Sequence, residues 1–155
     1  MDEPSRSAPQ LSSGEAAWRS ILELVGWGGT RPPRFPTVAM ALDLAPKQLG
    51  LLCRLEPGEQ KPMRVLGERV FCDASYTTDL VDRLEDRGLL KRRSSPTDRR
   101  VKLVALTAEG ERVRERALAQ LHAAPDEFAA LTDDELETLA RLLGKAVASA
   151  ERTAA

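Results

Sequence analysis

The sequence predicts a mainly α fold with a small β-hairpin, arranged as a winged helix-turn-helix inside a helical dimerisation frame. Helical periodicity runs over about 62–71 and again from Asp73 to Gly88, with almost no chain between. Two helices joined so closely cross steeply and form a helix-turn-helix. Directly after Gly88, the short runs "LLKRR" and "VKLVAL" flank "SSPTD", which is the pattern of two strands and a hairpin loop. At 155 residues and 42% hydrophobic, the chain is long enough for one core and short enough for one structural domain.

Taken in order, residues 1–13 are rich in Ser and Pro and predict a disordered tail. Ala17, Ile21, Leu22, Leu24 and Val25 then fit a helix ending at Gly26–Gly29. "GGTRPPRFP" breaks the chain, because proline lacks an amide proton. Short helices follow near 37–43 and 46–55, the second with Pro46 in its first turn. In the helix after Asp73, Thr77, Leu80, Val81 and Leu84 stand at i, i+3, i+4, i+7 and form the inward face. Asp73 caps its start and Gly88 closes it. Thr107 caps a further helix with Glu109 and Glu111 in its first turn, where the helix dipole favours negative charge. Pro125 interrupts, and Thr132 with Glu135 forms a capping box for a last helix to about 149. The expected organisation is a tail at 1–13, N-terminal frame helices at 14–55, the winged helix-turn-helix at 56–106, and C-terminal dimerisation helices at 107–150. Leu136, Leu139, Leu142, Leu143 and Val147 make an apolar series that needs a partner surface, which predicts a homodimer.

The net charge is −1, but it is unevenly placed. Between Arg87 and Lys102 stand Arg87, Lys91, Arg92, Arg93, Arg99, Arg100 and Lys102 against Asp98 alone. Such a cluster beside a helix-turn-helix is the electrostatic footprint of a double-stranded DNA interface. A 100° step per residue puts Ser75, Asp79 and Asp82 opposite the inward face, with Tyr76, Thr78 and Arg83 on the flanks. Ser75, Tyr76 and Asp79 are therefore candidates for reading base edges, and Thr78 and Arg83 for phosphate contacts. An acid at 79 helps only by accepting from cytosine N4; otherwise it repels phosphate. Arg92, Arg93 and Arg99 belong to the basic wing. On an extended strand Asp98 and Arg100 share a face, so the carboxylate can hold the guanidinium and aim it into a minor groove. The competing reading is an interaction module whose basic face binds an acidic partner protein.

Other classes find little support. His122 is the one histidine, and no Ser or Cys nucleophile pairs with it by motif, so an enzyme is not expected. One His and two separated Cys make no zinc site, and no cofactor is expected. Cys53 and Cys72 read as reduced thiols rather than a disulfide framework; sequence leaves open whether either senses redox state. The absence of a signal-like or membrane-spanning apolar run predicts a cytoplasmic protein without a membrane partner.

The stretch "LGERVFCDASYTTDLVDRLEDRGLLKRRSSPTDRRVKLVALTAEG" resembles the MarR family of winged-helix transcriptional regulators. The pieces that carry the resemblance are "TDLVDRLEDRGLL", the D-x-R core of "DRR", and "LTAEG". The resemblance implies a homodimer on a pseudo-palindromic operator, usually as a repressor. It also implies response to small phenolic or other effector ligands; a regulating ligand is expected between the first helices and the helix-turn-helix. It places Ser75, Tyr76, Thr77, Thr78 and Arg83 at recognition-helix contacts and Arg100 at the wing arginine.

Overall fold

In the computed structural model, which describes residues 11–27 and 32–154, helix α1 (Ser13–Leu24) starts on a capping box made by Ser12 and Glu15. Ser12 and Ser13 thus belong to the helix start rather than to a tail, and residues 1–10 of the expected tail lie outside the described residues. The helix ends before Gly26, as expected, and buries none of its residues. Helix α2 (Arg34–Ala41) begins three residues earlier than the periodicity suggested. Pro33 supplies an extended cap and Pro36 falls in the first turn, where a missing amide proton costs no hydrogen bond. Helix α3 (Pro46–Cys53) follows the positive-φ residue Asp43.

The helix-turn-helix is α4 (Met63–Val70) and α5 (Ala74–Asp86). Gly67 lets the two approach: a Cβ there would stand 2.8 Å from Thr77 Oγ1 and 3.1 Å from the Cys72 carbonyl oxygen. Strands β2 (Leu90–Ser94) and β3 (Lys102–Leu106) form the expected antiparallel hairpin, with Leu90 opposite Leu106 and Arg92 opposite Val104. A third strand, β1 (Lys61–Pro62), pairs with the other edge of β3, giving the order β1-β3-β2. Two residues carry no readable alternation, and Pro62 is tolerated because this is an edge strand.

Helix α6 (Ala108–His122) starts on Thr107, whose Oγ1 accepts from the Gly110 amide at 3.0 Å. Gly110 meets the chain entering β2 so closely that a Cβ would lie 2.0 Å from the Leu89 carbonyl oxygen. Leu49, Leu52 and Leu55, then Leu66, Val81, Leu84, Leu90, Val104 and Ala117, are buried in one core that joins α2 to α6 and the sheet. Each large aliphatic side chain there contributes about 1.5–3 kcal/mol.

The described residues divide between His122 and Ala123 into two compact units. In the second, a 3-10 turn (Asp126–Ala130) precedes α7 (Asp133–Ala154), which runs past the expected end near 149. Thr132 and Glu135 make the predicted capping box, with the Thr132 amide donating to Glu135 Oε2 at 2.8 Å. Among the described residues of α7, none is buried; Leu142, Leu143 and Val147 are exposed.

Candidate nucleic-acid interface

Helix α5 is positioned by its inward face. Thr77, Leu80, Val81 and Leu84 are all buried, so the helical angle fixes what points outward. Asp73 caps the helix, accepting from the Tyr76 amide at 2.8 Å. Ser75, Tyr76, Thr78, Asp79 and Arg83 are exposed on the outer side, Tyr76 at 45%.

Thr77 is the exception among the recognition-helix candidates. It is 1% exposed, its hydroxyl donates to the Asp73 carbonyl at 2.7 Å, and it lies under the close approach at Gly67. It holds the turn and cannot touch DNA. The helical angle had put Thr77 inward; the family resemblance had put it among the contacts, and that placement is corrected. Thr78 donates its own hydroxyl to the Ala74 carbonyl at 2.9 Å, leaving it an acceptor toward solvent.

The wing is also built differently from the expected ion pair. Residues 95–101 form a turn between the strands rather than an extended run, so Asp98 and Arg100 do not share a strand face. The Asp98 carboxylate accepts from the Arg100 backbone amide at 2.9 Å, not from its guanidinium. A short acid two residues before an amide reaches that amide sooner than the end of a long side chain. Buried Ser95 organises the same loop, its hydroxyl accepting from the Thr97 and Asp98 amides while its own amide donates to the Val101 carbonyl. The Arg100 guanidinium is thereby left exposed at a backbone-locked tip.

The basic residues divide into two groups. Arg92 is drawn back onto α5: its guanidinium pairs with Asp82 at 2.5 Å and Glu85 at 2.9 Å, and its amide donates to Glu85 at 3.0 Å. The expected wing contact from Arg92 is therefore replaced by a clamp between wing and helix. Sequence distance hid this, because the helix and strand residues lie seven to ten positions apart across a turn. Arg87 likewise bonds the Leu42 and Asp43 carbonyls and pairs with the Asp43 carboxylate, tying the end of α5 to the α2–α3 turn. Lys91, Arg93, Arg99, Arg100 and Lys102 are exposed and pair with no carboxylate among the described residues.

A hollow of about 400 Å³ opens between α2, α3 and the end of α4, walled by Phe35 and Phe71 and edged by Lys47 and Arg54. The sequence spacing groups Phe71 with Met63, Leu66 and Val70 on the apolar side of a helix over about 62–71; instead it caps the end of α4, 88% exposed, at φ 53°, a left-handed position that side chains other than glycine adopt at a cost. Cys53 and Cys72 are free and half-buried, and burial pushes the Cys53 thiol up, away from the reactive thiolate. His122 is exposed at the end of α6. Among the described residues, no helix is long and apolar enough to cross a membrane.

Comparison with known proteins agrees with this geometry. A sequence model of the MarR family matches residues 44–102, which span α3 to the start of β3. The transcriptional regulator MhqR of Bacillus subtilis is 30% identical over 101 residues, covering 64% of this chain and 70% of MhqR. Wild-type MarR from E. coli superposes with a TM-score of 0.69 at 23% identity, over 90% of this chain and 98% of that one. The repressor CouR, solved bound to a 23-mer DNA duplex, superposes with a TM-score of 0.57 at 23% identity, over 88% and 92% of the two chains.

Proposed function

The chain belongs to the MarR family of transcriptional regulators, and we propose that it binds double-stranded DNA as a homodimer, with α5 in the major groove and the β2–β3 tip against the minor groove. One observation carries this reading. The exposed polar face of α5 and the unneutralised cations Arg93, Arg99 and Arg100 belong to elements that the Arg92 clamp joins into one piece. Ser75, Tyr76 and Asp79 meet base edges, while Thr78, Arg83 and the wing arginines meet phosphates or the minor groove. The DNA-bound state of CouR supports the same use of the fold.

The exposed apolar residues of α1 and α7 are the surfaces that a second copy covers. Two recognition helices related by a two-fold axis then engage half-sites about one helical turn apart. An effector in the Phe35–Phe71 hollow changes the spacing of those helices if it binds the two arrangements unequally, and the regulator acts as a ligand-responsive repressor. Selection of genomic fragments by the purified chain tests the reading. It is expected to enrich fragments sharing an inverted repeat, with affinity falling steeply as salt rises. Recovery of fragments with no common sequence, or binding insensitive to salt, would overturn it.

A further inference from the structure

Helix α5 carries four acids, Asp79, Asp82, Glu85 and Asp86, after the capping Asp73. The surrounding chain engages most of them. The Asp73 carboxylate holds the Tyr76 amide. Asp82 and Glu85 both pair with the Arg92 guanidinium. Asp86 is the last residue of the helix, at the end away from the groove. Asp79 is different: it is exposed in the N-terminal half, between Tyr76 and Arg83 on the same side, and no hydrogen bond or ion pair engages its carboxylate among the described residues. Arg83, one turn further on, is also unpaired, so the carboxylate is not spent on its nearest cation.

Resting on the DNA-binding reading above, we propose that Asp79 is a specificity-determining residue that accepts a hydrogen bond from the N4 amino group of a cytosine in each half-site. An ionised carboxylate only accepts. In the major groove, adenine sets its N7 acceptor beside its N6 donor, guanine shows two acceptors, and thymine shows an acceptor and a methyl group. Cytosine alone offers an amino donor without an acceptor of its own beside it, so an unpaired acid is matched there and repelled elsewhere. The Arg92 clamp makes this selection local, because it engages Asp82 and Glu85 and leaves the Asp79 carboxylate without a partner among the described residues.

The test is selection from a random-sequence duplex pool by the full-length protein and by Asp79→Ala and Asp79→Asn, with thermal unfolding confirming that each variant folds. The wild type is expected to enrich cytosine at one position per half-site, and replacing that base should weaken binding roughly 5- to 150-fold. Asp79→Ala should lose the preference at that position alone, and Asp79→Asn should move it toward adenine, whose N6 and N7 suit an amide. If Asp79→Ala tightens binding to all sequences equally and leaves the selected site unchanged, the acid only repels phosphate and the proposal is wrong. A wild type that enriches a site indifferent to Asp79 overturns this inference but leaves the DNA-binding reading standing. A wild type that enriches nothing overturns both.

Discussion

Helix α5 and helix α7 are both amphipathic, with apolar residues at three- and four-residue spacing, yet they meet different fates. Over thirteen residues, α5 buries four side chains against its own chain and is fastened at both ends, by Thr77 under Gly67 and by Arg87 on the α2–α3 turn. Over twenty-two residues, α7 buries none among those described and leaves Leu142, Leu143 and Val147 exposed. Helix α1 behaves like α7, with Trp18 and Val25 exposed. An amphipathic pattern therefore states that a face needs covering and leaves open what covers it. For α5 the cover is the chain itself; for α1 and α7 we assign it to a second copy.

The largest effect should come from charging the uncovered face. Leu143→Glu with Val147→Glu places two carboxylates in the proposed dimer surface, at a cost of about 3 kcal/mol or more. The dimer dissociation constant should rise at least about a hundredfold, while the fold of residues 34–122 is kept. Sedimentation velocity reads this directly; a double variant that stays dimeric at the same concentration would remove α7 from the interface.

The two kinds of helix also differ in what a single methyl group does. Gly110→Ala drives a Cβ into the Leu89 carbonyl and should lower stability by roughly 2–3 kcal/mol, visible as a fall of several degrees in melting temperature. On α7, Gly144→Ala meets nothing within 4 Å in its own chain and should be neutral or stabilising by less than about 1 kcal/mol. Equal melting temperatures for the two variants would erase the contrast between packed and unpacked helices.

At the wing, Arg100→Ala should weaken operator binding by roughly 1–3 kcal/mol without changing thermal stability. The slope of log K against log salt should fall by about one per wing if a phosphate charge is also neutralised. Arg92→Ala should instead lower the melting temperature, because it leaves Asp82 and Glu85 unpaired beside each other. An Arg100→Ala protein that binds as tightly as wild type would make the tip a charged turn only.

The smallest expected effect is a titration. Glu59 pairs with Arg69 at 3.0 Å and Lys61 at 2.9 Å, and these bonds hold its carboxyl at about 2 instead of the usual 4.5. A depressed folded-state value stabilises the fold above the unfolded value and loses that contribution as pH falls from 4.5 toward 2. Glu59→Gln should therefore be less stable than wild type at neutral pH, with the gap narrowing across that window in pH-dependent unfolding. A gap that stays constant to pH 2 would show that the pair does not stabilise the fold electrostatically.

The starts of α5, α6 and α7, the inward face of α5 and the hairpin were legible because each rests on neighbours within a turn or two. Thr132 with Glu135 and Thr107 with Gly110 are local bonds, and the periodicity of Thr77, Leu80, Val81 and Leu84 fixes a direction without reference to anything else. Even Thr77, which the family resemblance placed on the DNA side, was correctly turned inward by its helical angle alone. The partners of the charges were not legible. Arg92 and Arg93 are adjacent and chemically identical, yet one is folded back onto Asp82 and Glu85 and the other is free, because alternate residues of a strand face opposite sides and only one side meets α5. The two-residue β1, the anchoring of Arg87 on Asp43 and the locking of the Arg100 amide by Asp98 depended likewise on where the chain returns in space. Periodicity is a property of consecutive residues and survives in the sequence; charge pairing depends on distances between segments, which exist only once the core has brought them together.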